Sequence, residues 1–153
     1  MRFHGSLSII TITVLALLAV TQMQAQKKKD FVIRPAGDLK WTEMKGGPPG
    51  IMYSNVSGDV TKGAYSAFIK LPAGMSNPPH SHSSDIKLVV ISGTFWIQPE
   101  GGARKELGPG SYLFTPSKVK HTSGTVAGSE CLIFQESSGL FDFLPGDGVP
   151  PKK

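Results

Sequence analysis

The sequence predicts an all-β domain, and three observations carry that prediction. Beyond residue 26 no stretch keeps a helical apolar period over a useful length. Short runs rich in β-branched and aromatic residues recur instead, and the run from Tyr65 to Leu71 alternates cleanly. Gly and Pro, 18 and 12 of the 153 residues, break these runs at short intervals. Many short strands divided by turn residues indicate a sandwich or a barrel.

Taken in order, the chain begins with an apolar run from Leu7 to Val20, preceded by Arg2 and followed by the polar stretch Thr21 to Gln26. A charged start, a short apolar stretch and a small-residue exit form the pattern of a secretory signal peptide. The run is short of the roughly 20 apolar residues a membrane span needs. The expectation is cleavage after Ala25, with residues 1–25 as signal and 26–153 as one periplasmic or secreted domain without a stable membrane span. Lys27, Lys28 and Lys29 put more positive charge behind the apolar run than lies ahead of it. An uncleaved anchor is therefore the competing reading.

The expected strands are Phe31 to Ile33, Lys40 to Thr42, Tyr65 to Leu71, Leu88 to Ile91, Thr94 to Gln98, Ser111 to Thr115 and Glu130 to Gln135. In the clearest of them Tyr65, Ala67, Ile69 and Leu71 share one face, and Ser66, Phe68 and Lys70 the other. Leu88 to Ile91 is apolar on both faces, so one face lines the interior and the other awaits a cover. Gly46 to Gly50 reads as a loop near the barrel mouth. Ser92-Gly93, Glu100-Gly101-Gly102 and Gly108-Pro109-Gly110 read as turns. The tail 145–153 has no apolar pattern and is expected in solvent. No internal repeat is present, so one barrel is predicted.

The formal net charge is +5, but five lysines sit at 27–29 and 152–153. No arginine-rich helix, aromatic–basic interleaving or zinc-finger spacing accompanies that charge, which argues against nucleic-acid binding. A lone cysteine, Cys131, excludes an internal disulfide framework. Its apolar setting, Cys131-Leu132-Ile133-Phe134, predicts a buried and inert thiol.

Chemistry concentrates on histidine. Outside the expected signal, which contains His4, the only histidines are His80, His82 and His121. Residues i and i+2 of a strand share a face, so His80 and His82 can reach one ion, with His121 arriving from another strand. Imidazole suits Fe, Zn, Ni, Cu or Mn, whereas Mg and Ca prefer oxygen.

Gly74-x5-His80-x-His82, then Ile86 and Gly93, follows the spacing of the first cupin motif. Gly110-x5-Pro116, with His121 five residues on, follows the second. On these residues the stretch from about 58 to 143 resembles the cupin superfamily, and it is similar to small single-domain bacterial cupins of the type-2 and DUF4437-type groups. The resemblance implies a jelly-roll barrel, a divalent transition metal on the three histidines and a homodimer. The chain departs from the pattern in three places. Ile86 stands where a glutamate ligand is usual, Lys118 where a glycine is, and Thr125 where an asparagine is. Asp85 is the nearest carboxylate, as a ligand or a support for one, but an inward Ile86 turns it to the opposite face unless a bulge intervenes.

Two functions compete on these residues. One is a metal-dependent, dioxygenase-like enzyme acting on a small anionic substrate, with no residue assignable as acid or base. The other is a non-catalytic cupin that holds a small molecule or the metal itself. A barrel without metal is the third and weakest reading.

Overall fold

The computed structural model describes residues 30–146. The expected signal and the tail beyond Gly146 lie outside the described residues. The described residues from Val32 onward belong to one compact unit. Among the described residues there are eleven strands: β1 (Thr42–Glu43), β2 (Met52–Gly58), β3 (Tyr65–Leu71), β4 (Ser76–Ser81), β5 (Ile86–Ser92), β6 (Phe95–Pro99), β7 (Lys105–Leu107), β8 (Tyr112–Thr115), β9 (His121–Thr125), β10 (Cys131–Ser137) and β11 (Leu144–Pro145). They form two antiparallel sheets, ordered β1-β2-β3-β10-β5-β8 and β11-β4-β9-β6-β7. The fold is the all-β jelly roll that the sequence predicts.

Alternation builds the interior. Tyr65, Ala67, Ile69 and Leu71 of β3 are buried, and so are Ile86, Leu88 and Val90 of β5. Cys131 and Ile133 of β10 lie between these two rows. Each fully buried Leu or Ile contributes about 1.5–3 kcal/mol relative to exposure. The Cys131 thiol is fully buried and pushed up to about 11 by desolvation, which matches the inert cysteine expected from sequence.

The outer face of β5, for which the sequence expects a cover, is exposed among the described residues. Val89 and Ile91 are about 40% exposed, and Tyr112 and Phe114 on the neighbouring edge strand β8 are exposed as well. Phe31 to Ile33 is also not a strand; its three side chains are exposed and pair with nothing in either sheet. Local β-propensity there finds no partner strand among the described residues. Five strands lie outside the expected runs, β2, β4, β7, β9 and β11, although the histidine spacing already placed a strand at His80 and another at His121. β2 is polar along much of its length, and β4 and β11 contain prolines, which normally count against a strand.

Turns fall where glycine is required. Gly93 has φ 74°, and a Cβ there would lie 2.5 Å from the Glu130 carbonyl oxygen and 2.8 Å from Cys131 Cα. Lys118 has φ 63° and is the only non-glycine residue in the left-handed region among the described residues. It occupies the position where the family pattern carries glycine. Its amide donates to the His82 carbonyl at 2.7 Å, which holds the strained residue in place. Left-handed geometry costs an L-residue about 1–2 kcal/mol, part of which glycine loses again through unfolded-state entropy. Lys118→Gly is therefore expected to stabilise the protein by about 0.5–1 kcal/mol, read as a higher denaturant midpoint at unchanged m-value. A lower midpoint would show that the lysine side chain makes a compensating contact.

Candidate metal centre

His80 is the penultimate residue of β4 and His121 opens β9, and the two are direct cross-strand partners. His82 follows one residue beyond the end of β4. All three rings are buried, at 2%, 7% and 5% exposure for His80, His82 and His121. Ring centroids lie 4.3 Å apart for His80–His121, 5.0 Å for His80–His82 and 5.3 Å for His82–His121. One ring nitrogen from each lies within 4.8 Å of the others. The structure thus brings together the trio that the sequence singled out.

Hydrogen bonds fix the tautomers. Nδ1 of His80 faces the Pro78 carbonyl at 2.8 Å, that of His121 the Val119 carbonyl at 2.9 Å, and that of His82 the Asp142 carbonyl at 2.6 Å. A carbonyl only accepts, so each Nδ1 carries the proton and donates it. Each Nε2 is left with its lone pair free. Desolvation, the largest effect on all three, disfavours the imidazolium, and the His80 pKa falls from 6.5 to about 3. Three neutral imidazoles with oriented lone pairs are what a transition metal requires of histidine.

A segment after β10 closes the site. Phe143 stacks on His80 at 4.2 Å and 14°, and Phe141 lies 5.4 Å from His82. The Asp142 carboxylate accepts from the Ser83 amide at 2.9 Å and also from the Ser83 hydroxyl. Leu144 and Pro145 pair with Ser81 and His80, and the Gly146 amide donates to the Pro79 carbonyl at 2.7 Å. Part of the stretch the sequence assigned to solvent is thus paired to the histidine strand; the rest lies outside the described residues. Ser83 thus ties the turn after β4 to Asp142.

The cavity beside the histidines has a volume of about 60 Å³, enough for an ion and a few water-sized groups. Ile86 is buried and lines it, and no acidic residue among those described does so. Asp85 is exposed, and its Oδ1 accepts from the Ser117 amide at 2.8 Å. It is thus not brought to the histidine cluster. β5 starts in regular register at Ile86, so no bulge turns Asp85 inward.

Two contributors were not legible in sequence. Asp142 holds a ring sixty residues away through its backbone, which no residue type signals. Asn77 lines the cavity although it is three residues before His80, a spacing that regular alternation sends to the opposite face. An irregularity in the β4–β9 pairing between Asn77 and His80 restores it to the interior. Asn77 Nδ2 donates to Ser123 Oγ at 2.9 Å, while its buried Oδ1 has no partner. Such an orphan acceptor costs about 1–3 kcal/mol.

The model of the ChrR cupin-like domain matches residues 28–140. No curated protein matches at the sequence level. Among solved structures, an RmlC-like cupin protein from Ralstonia eutropha is similar at TM-score 0.64 and 18% identity, over 82% of this chain and 78% of that one. The polyketide cyclase RemF from Streptomyces resistomycificus is similar at TM-score 0.63 and 19% identity, over 81% and 89%. Rhodobacter sphaeroides SigE in complex with the anti-sigma ChrR gives TM-score 0.52 and 19% identity, over 90% and 69%. At these identities the likenesses establish the jelly-roll fold.

Proposed function

The chain belongs to the ChrR cupin-like domain family, and we propose that it is an exported member that holds one divalent transition metal ion on His80, His82 and His121. The donor set supports this reading, because three buried neutral rings present their Nε2 lone pairs to one another across the cavity. When bound, Fe would supply oxygen chemistry and Zn would supply Lewis acidity. The protein's own part is to orient three rings through three carbonyls, exclude bulk water with Phe141 and Phe143, and leave a small open face.

Charge decides what that face takes. A divalent cation on three neutral ligands keeps its full charge in a cavity whose described lining holds no acidic residue, and Ile86 supplies none of the compensation a glutamate would. A small anion is therefore the fitting ligand, and this charge balance is the observation that carries the proposal. With an oxidisable anion and Fe the site would act as a dioxygenase-like enzyme. The second reading, a non-catalytic cupin, draws on the same cavity, where no described carboxylate stands ready as a general base. A DUF4437-type affiliation, a signal over 1–25 with a periplasmic or secreted location, and a second copy seated on the exposed face of β5 and β8 complete the proposal.

Metal analysis of the purified protein tests it, with titration of the chelator-stripped form against Fe, Zn, Ni, Cu and Mn. About one ion per chain is expected. A folded protein that takes up none of the five overturns the metal reading. Oxygen consumption by the Fe form with β-diketones, thiols or catechols selects the enzyme, and its absence across that panel favours the binding protein.

A further inference from the structure

Asn77 is the one described residue with a buried side-chain polar atom lacking a partner, and it lines the histidine cavity. Its strand partner is Ser123, and the strand partner of His80 is His121. Ser123 and His121 stand two apart on β9, hence on one face. The Asn77–Ser123 pair therefore forms the row next to the His80–His121 pair, about 6.6 Å along the strand. Ser123 already occupies Asn77 Nδ2. With Nδ2 on Ser123, the atom left without a partner is Oδ1, an acceptor.

Keeping an acceptor unpaired at this depth is expensive unless something in the cavity uses it. Each histidine Nδ1 is engaged by a carbonyl and Gln135 Nε2 by the Tyr65 hydroxyl, so none of these donors serves Asn77. We infer that Asn77 is a specificity-determining residue whose Oδ1 accepts a hydrogen bond from the O–H or N–H of the ligand held at the histidines. This rests on the metal reading above and narrows its ligand class. The ligand is a small anion carrying a hydroxyl or amino group beside its charged end, the anion directed to the metal and the donor to Asn77.

Glycolate and acetate differ by one hydroxyl and fit a site of this size, so the Co(II)-loaded protein can be titrated with each. The visible Co(II) spectrum reports binding without any turnover. Wild-type protein is expected to bind glycolate about 3–10-fold more tightly than acetate, the worth of one neutral hydrogen bond. Asn77→Leu should bring that ratio to about 1 while acetate affinity stays within about twofold. A glycolate preference that survives in Asn77→Leu would come from chelation at the metal and overturns the inference, as does the absence of any preference in wild type. Where the leucine variant fails to fold, Asn77→Ser, which withdraws the carbonyl, is read the same way. Failure of wild type to take up Co(II) is separately visible in the spectrum and overturns the metal reading, and this inference with it.

Discussion

His121→Ala is expected to weaken divalent metal binding by more than about 100-fold, beyond the 10–100-fold that loss of a mere supporting contact costs. His121 is the only member of the trio from β9, and its Nε2 is fixed by the Nδ1–Val119 hydrogen bond. His80 and His82 alone would leave the ion on one side of the cavity, whose remaining wall offers no third imidazole and no carboxylate. At a metal concentration 1,000 times the wild-type Kd, the ion stabilises the native state by about 4.1 kcal/mol. A variant bound 100-fold more weakly keeps only about 1.4 kcal/mol of that. The measurement is denaturant unfolding of both proteins, with and without Zn. The metal-free baselines remove the cost of the cavity that alanine leaves. Equal zinc-dependent gains in the two proteins would refute a role for His121 as ligand.

The second large effect is acid sensitivity of the metal-free protein. In the unfolded chain the three histidines protonate near their usual 6.5, whereas desolvation in the fold lowers all three, His80 to about 3. Below pH 6.5 the unfolded state therefore binds more protons than the native one, and stability falls as pH falls. The stabilisation is fully present above 6.5 and is lost progressively toward the folded pKa. From pH 6.5 to 5.0 His80 alone removes about 2 kcal/mol, at about 1.36 kcal/mol per pH unit. The Asp59 carboxyl, held at about 2 chiefly by its hydrogen bond with Lys62, loses its contribution only below the usual carboxylate range. The interval from 7 to 5 thus isolates the histidines. Urea unfolding in chelator should show a falling midpoint across it, and His80→Gln should flatten the slope by about one proton. A flat profile would contradict neutral burial.

The fold was largely legible because its main strands obey a period of two. Tyr65 to Leu71 buries every second residue as the alternation predicts, and Ile86, Leu88 and Val90 do the same. Ile86 reads correctly as inward and Asp85 as outward for that reason alone. What escaped the sequence breaks the period. Pro78 and Pro79 argue against a strand, yet β4 passes through them, because the bulge opposite β9 takes up the missing amide donors. Phe31 to Ile33 has the composition of a strand and finds no partner among the described residues.

The sequence by itself determined an all-β domain, the set of three histidines and the absence of a carboxylate at Ile86. These follow from composition, spacing and local alternation. Only the tertiary structure decided that His80 pairs with His121 and that Asp142 orients His82. Phe141 and Phe143 reach the site, and Asn77 turns inward, by the same kind of long-range choice. Each of those depends on register and packing between segments distant in the chain, where a one-residue bulge reverses which face a side chain takes. Residue order fixes which groups are available; pairing between distant strands fixes which of them meet.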